Sequence, residues 1–236
     1  MKLGTLAAAG LSATALIGPA PVAAADTSCP DVQVVFARGT FEAPGVGATG
    51  QAFVDALSSR LADKDSIGVY GVNYPASLDF QQAAGGIADA SNEIKSISAS
   101  CPNTKIVLGG YSQGAAVAGY TTTETVPANF VLPTGINGPM PPALANHVAA
   151  VVLFGTPTDW VLGLADHDAP PLRIGALYQP KTLELCAPGD PVCSPGGLDR
   201  SAHSAYKSNG MADQAADFVV HALGTSAPTP APQQTV

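Results

Sequence analysis

Two kinds of apolar spacing alternate along the chain. Near-continuous apolar runs at 32–37, 67–72, 105–108, 147–154 and 182–185 read as strands. A strand with one wet face alternates apolar and polar residues, so unbroken runs predict burial on both sides. Between them the spacing is helical. Over 78–97 the residues Phe80, Ala84, Ile87, Ile94 and Ile97 share one stripe, and 46–61 and 113–120 read as further helices. A last helix spans 211–223, with Ala212, Ala215, Ala216, Val219 and Leu223 on one face and Gly224 as its stop. Strand–helix alternation predicts an α/β fold, a parallel sheet covered on both faces.

Three stretches break this rhythm. The Pro- and Gly-rich segment 127–142 reads as an irregular insertion before the fourth strand, a surface loop first and a substrate-covering flap as the alternative. The Pro-rich segment 225–236 reads as a disordered tail. At the start, Met1-Lys2, an uncharged small and apolar stretch over 3–17 and the Ala23-Ala24-Ala25 end form the three parts of a secretory signal peptide. The expectation is therefore a signal peptide at 1–25, one folded domain at 26–224, and a secreted protein. The apolar start is shorter than the roughly 20 residues a membrane span needs.

Composition narrows the function. Of 236 residues, 46% are apolar and 12% charged, enough for one sizeable core and unlike a disordered chain. The net charge of −8, with no Lys/Arg cluster, argues against nucleic acid as a partner. The expected partner is a small molecule or a lipid, met by a monomer without stable membrane insertion. Four cysteines, Cys29, Cys101, Cys186 and Cys193, suit two disulfides in an exported chain and allow three pairings. Cys186 and Cys193 enclose a short loop and are the natural pair. Cys29 and Cys101 each precede a strand and can meet if those strands are parallel neighbours. No zinc-type spacing competes.

The chemistry centres on Gly110-Tyr111-Ser112-Gln113-Gly114, a G-x-S-x-G sequence. Alone it is weak in a glycine-rich chain. Here an apolar strand runs into it and a small-residue helix leaves it, the context of a nucleophile elbow. A serine hydroxyl needs a base. Of four histidines, His147 and His221 read as local surface or packing residues. His167, between Asp166 and Asp168, looks metal-like, but three adjacent loop residues are a poor ligand set. His203 remains, between the last strand and the last helix, where strand C-termini open. Asp190, inside the Cys186–Cys193 loop and between Pro188 and Pro191, is the orienting acid. Asp199 competes from a less restrained loop.

Cys29-Pro30-Asp31, the Ala37-to-Glu42 stretch, the Gly110-to-Gly114 elbow, the Cys186-to-Cys193 loop with Asp190 inside it, and His203-Ser204-Ala205-Tyr206 together resemble the cutinase family, over essentially the whole mature domain. The resemblance implies a small α/β-hydrolase with a five-stranded parallel sheet, a Ser112–His203–Asp190 triad, and bridges Cys29–Cys101 and Cys186–Cys193. It also implies an oxyanion hole from Thr40 and Gln113, and no metal or organic cofactor. The polar segment 194–202 stands where the fungal members carry an aliphatic wall, so short- or medium-chain acyl esters are expected. Acetylxylan esterase, phospholipase and cell-envelope glycolipid esterase are related readings. An idle secreted binding protein is the rival outside catalysis.

Overall fold

The computed structural model describes Met1 and residues 29–61, 65–126 and 132–224. The expected signal peptide and tail lie outside these residues, as does part of the 127–142 insertion. Five strands form one all-parallel sheet: β1 (Val32–Ala37), β2 (Ile67–Gly71), β3 (Lys105–Tyr111), β4 (Val148–Phe154) and β5 (Thr182–Leu185), in the order β2-β1-β3-β4-β5. The helices are α1 (Gly47–Leu61), α2 (Ala83–Ser100), α3 (Gln113–Thr121), α4 (Asp159–Ala165), α5 (Arg200–His203) and α6 (Met211–Ala222).

The unbroken apolar runs have a direct explanation in two cores. Val32, Val34 and Phe36 of β1 and Ala150, Val152 and Phe154 of β4 pack toward Phe53 and Leu57 of α1 and Ala216 and Val219 of α6. The intervening Val35 and Ala37, with Val151 and Leu153, pack toward Ile94 of α2 and Ala115 and Val117 of α3. Every position of β1 and all but Ala149 of β4 are buried, so the period of two is masked there. The edge strands β2 and β5, also expected to be buried on both sides, are only partly so, with Val69 and Glu184 exposed because no strand covers their outer edge.

This strand order places the site. From β1 the chain moves to one side, to β2, and then crosses back so that β3 lies on the other side of β1. Loops leaving β1 and β3 therefore diverge, opening a crevice at the strand C-termini, the usual ligand position in such sheets. The residues after β1 include Thr40, and those after β3 begin with Ser112. The same pairing, Val32 beside Lys105, brings the strand entrances together. Cys29 and Cys101 are bonded there with a 2.00 Å S–S distance, and Cys186 and Cys193 form the second bridge at 2.06 Å.

Three differences from the expected elements have local causes. The third strand continues past Leu108 to Tyr111, because Gly109 and Gly110 keep their ladder partners on both neighbouring strands. The helix expected from residue 78 starts as a 3₁₀ turn at Phe80–Gln82 before α2. Helices α4 and α5 were not anticipated. Both are short, with Thr158 and Asp199 capping them through side-chain oxygens that accept from Val161 N and Ser201 N.

Candidate active site

The turn between β3 and α3 explains its own glycines. Ser112 sits at φ 55° and ψ −119°, a strained conformation for a residue with a side chain. A Cβ at Gly110 would lie 2.1 Å from the Gly114 carbonyl oxygen, and one at Gly114 would lie 2.0 Å from the Ala37 carbonyl oxygen. Neither position tolerates a side chain. The Ser112 N–H donates to the Phe154 carbonyl at 2.9 Å, fixing the turn to β4, and the N–H of Ala115 donates back to the Ser112 carbonyl at 2.9 Å as α3 begins.

His203 lies at the C-terminus of α5 and faces this serine. Its Nε2 is 2.8 Å from Ser112 Oγ, and its Nδ1 is 2.9 and 2.8 Å from Asp190 Oδ1 and Oδ2. Asp190 has no solvent exposure, while the imidazole is one-fifth exposed (20%). Oδ1 of the carboxylate also accepts from Val192 N at 2.8 Å, and Oδ2 accepts from the Tyr206 hydroxyl at 2.5 Å. A carboxylate so bound holds the imidazole with its proton on Nδ1, leaving Nε2 as an acceptor for the serine hydroxyl. Tyr111, the residue before the serine, lies against the imidazole with ring centres 5.1 Å apart and donates its hydroxyl to the His203 carbonyl at 2.5 Å. Burial pushes the Tyr111 phenol up to about 12, with the charges of Glu42 and Asp190 adding to it.

The loop after β1 is held by a buried cation. Arg38, 4% exposed, donates from Nε to the Glu42 carbonyl at 2.8 Å and from its two terminal nitrogens to the carbonyls of Val72 at 3.3 Å and Tyr74 at 2.6 Å. Its guanidinium also sits 5.1 Å over the Tyr74 ring, and the Tyr74 hydroxyl donates to the Arg38 carbonyl. Glu42 closes the loop from the other side, its carboxylate accepting from Gly39 N at 2.6 Å and Ala48 N at 2.7 Å. Thr40 sits inside this frame. Gln113 opens α3, where the first backbone N–H groups have no intrahelical acceptor, and its side chain donates to the Ser77 carbonyl at 2.9 Å.

Thr40, Ser112 and Gln113 line the mouth of one cavity of about 1210 Å³. Ala116, Val117 and Tyr120 of α3 contribute to its lining, the first two buried and the third partly so. Phe80, Ile87 and, from α4, Val161 and Leu162 also line it. Two sequence expectations change here. Leu132, Pro133, Ile136 and Met140 of the insertion line this cavity rather than a remote surface. Val161 and Leu162 of α4 and residues 166–171 after it are in the lining, where the sequence pointed to the polar segment 194–202.

The other sequence candidates stand apart. His147 precedes β4 and His221 is exposed on α6. Asp166, His167 and Asp168 do bring their ligand atoms within 4.8 Å of one another, in the cavity lining, and both His167 and Asp168 are exposed. Asp199 caps α5 through Ser201, whose hydroxyl and N–H hold its carboxyl below the usual range. Sequence reading assigned no role to Arg38, Tyr111 or Tyr206. Arg38 and Tyr206 entered that reading only as members of the motifs that carry the family resemblance.

A doubly covered parallel sheet whose third strand delivers a serine into a helix on a glycine-lined turn, facing an imidazole and a buried carboxylate, defines a class, the small α/β hydrolases. Comparison with known proteins supplies the family. The cutinase family model matches residues 28–223. The probable carboxylesterase Culp5 of Mycobacterium tuberculosis is 49% identical over 178 residues, covering 75% of this chain and 99% of that protein. The phospholipase Culp4 of the same organism is 47% identical, covering 91% and 88%. Among solved structures, the Trichoderma reesei cutinase in complex with a phosphonate inhibitor superposes with a TM-score of 0.60 at 35% identity, covering 83% of this chain and 77% of that one. The chain belongs to the cutinase family, and it is a carboxylic ester hydrolase.

Proposed function

We propose that the protein is an exported serine esterase that cleaves short- and medium-chain acyl esters through an acyl-enzyme. Ser112 Oγ attacks the ester carbonyl and gives its proton to His203 Nε2, while Asp190 orients the imidazole and stabilises the imidazolium. The carbonyl oxygen becomes an oxyanion that accepts hydrogen bonds from Gln113 N–H and from Thr40, each donor worth about 3 kcal/mol in the transition state. Collapse breaks the carbon–oxygen bond to the alcohol, which leaves with the proton from His203. Water, deprotonated by the same imidazole, then attacks the acyl-serine and releases the carboxylic acid.

The observation that carries this reading is the continuous contact from Ser112 Oγ to His203 Nε2, 2.8 Å, and from His203 Nδ1 to Asp190, 2.8 Å. The apolar cavity beside it suits an acyl chain, since burying each methylene contributes about 0.8 kcal/mol. Rates should therefore rise with acyl length before they fall. Phospholipid acyl esters are a second reading, supported by the similarity to Culp4. Export rests on the basic-apolar-small start of the sequence and agrees with two disulfides and no free cysteine among the described residues.

One experiment tests both parts. The full chain is expressed in an exporting host, and the medium is probed with a fluorophosphonate and a p-nitrophenyl ester series of rising chain length. The expected product is extracellular, begins at Asp26, carries the label on Ser112, and loses at least a thousandfold in kcat on Ser112→Ala. Equal rates for variant and wild type would end the catalytic assignment. Activity found only with the cells, on a chain still starting at Met1, would end the export reading.

A further inference from the structure

Tyr206 is fully buried, yet its hydroxyl is fully engaged, and every partner belongs to the loop that holds Asp190. It accepts from Ala187 N at 3.0 Å, lies 3.3 Å from Cys193 Sγ, and donates to Asp190 Oδ2 at 2.5 Å. With the Ala187 N–H already occupying the phenol oxygen, the phenol proton is directed to the carboxylate. The ring stands edge-on to the His203 imidazole, 6.3 Å away at 89°, and packs on Phe154 and Tyr111. Gly155 permits this approach. A Cβ there would lie 3.1 Å from the Tyr206 ring and 3.2 Å from Asp190 Oδ2, at a φ of +59° that itself favours glycine.

We propose that Tyr206 is a positioning residue of the esterase, a fourth member of the relay that acts on the reaction through Asp190. The proposal rests on the Ser112–His203–Asp190 reading above. Its physical content is a division of labour at the carboxylate. Val192 N and Tyr206 OH take one oxygen each, which locks the carboxylate plane against rotation and spreads its charge away from the imidazole. A donor to a charged acceptor is stronger than a neutral pair and is felt by every group sharing that acceptor. The groups facing the imidazole are Asp190 from the disulfide loop, Tyr111 from β3, Ser112 from the elbow and Tyr206 itself. Glu42 lies near enough to Tyr111 for its charge to raise that phenol. Burial first, and then the bond to Asp190, raise the Tyr206 phenol so that it remains a donor throughout the working range.

The sign of the effect follows. Without the phenol proton, more negative charge stays on the carboxylate edge that faces His203, and the protonated imidazole is favoured. The base is then lost at a higher pH. Tyr206→Phe keeps the ring and its packing, and should lower kcat/KM about tenfold at neutral pH. It should also move the acid limb of the kcat/KM profile upward by about half to one pH unit. A residue that merely fills space would leave that limb in place. A double-mutant cycle gives the second readout: in an Asp190→Asn background Tyr206→Phe should cost less than about twofold. Site-specific 3-fluorotyrosine at position 206 keeps the fold, has a stronger donor, and should move the acid limb downward.

The proposal is overturned if the limb does not move in either variant, or if Tyr206→Phe costs the same factor with and without Asp190. If instead Ser112→Ala retains full activity, it is the underlying triad reading that fails. A dead Ser112→Ala with a wild-type profile for Tyr206→Phe removes the Tyr206 role alone.

Discussion

Arg38 sits one residue past β1 with its guanidinium buried and three backbone carbonyls on its nitrogens. Water cannot replace those donors, so the arginine holds the loop of Thr40 as rigidly as Gly110 and Gly114 hold the loop of Ser112. A donor to a developing oxyanion helps only if it is in place before the charge appears. Arg38→Met should therefore cost about 3 kcal/mol of stability, from carbonyls left without partners. It should also reduce kcat about tenfold or more with a small change in KM, since a displaced oxyanion donor is missed mainly in the transition state. Arg38→Lys should fall between, because an ammonium cannot span three carbonyls in a planar fork. Urea unfolding and steady-state kinetics on the two variants check this.

Among elements, the two disulfides perform separate tasks. Cys29–Cys101 joins the entrances of β1 and β3 across 72 residues, at the end of the sheet away from the site. Cys186–Cys193 closes a loop of sequence separation 7 around Asp190, after β5. Loop-closure entropy assigns about 4.4 kcal/mol to the long bridge and about 2.5 kcal/mol to the short one. Replacing both cysteines of the long bridge by serine should therefore lower stability more, and leave kcat of the folded enzyme near wild type. The same change at the short bridge should cost less stability and more kcat, because Asp190, Val192 N and the Tyr206 hydroxyl all lose their common frame. Chemical denaturation paired with kcat measurement separates the two outcomes.

At the scale of the whole molecule, acidic surface groups govern the response to pH. Asp31 is held below the usual carboxylate range by the N–H and then the hydroxyl of Ser66, Asp159 by Arg173, and Asp199 by the hydroxyl and N–H of Ser201. A depressed folded-state value means stability that is complete above the unfolded value, about 4, and is lost as pH falls through the folded one. Glu93, raised by burial and then by Asp89, acts in the opposite sense above that range. The melting temperature should thus change little between pH 7 and about 5, and decline below about 4. Calorimetry across that range checks it, and a decline beginning near neutrality would contradict it. These exposed pairs are screened and individually weak, so the decline should be gradual.

Much of this molecule was legible without coordinates. Strands buried on both faces announce themselves as near-continuous apolar runs, as β1 and β4 do, and the bounds of the partly exposed edge strand β5 were legible as well. The elbow was legible because a G-x-S-x-G stands between an apolar run and a small-residue helix, although only Gly110 is required by a local contact, and Gly114 by the carbonyl of Ala37 on β1. The pairing of Cys186 with Cys193 was legible because the loop between them is short. What the sequence left open depends on contacts between distant segments. That Cys29 meets Cys101 follows from β3 lying beside β1, which strand order alone decides. Nothing local distinguishes Tyr206 from a core aromatic, or Arg38 from a surface cation, until the sheet brings Asp190 to one and three carbonyls to the other. The cavity wall moved for the same reason. Residues 194–202 are near His203 in the chain, but α4 and the 132–140 segment are near Ser112 in space, and it is proximity in space that decides which side chains a substrate meets.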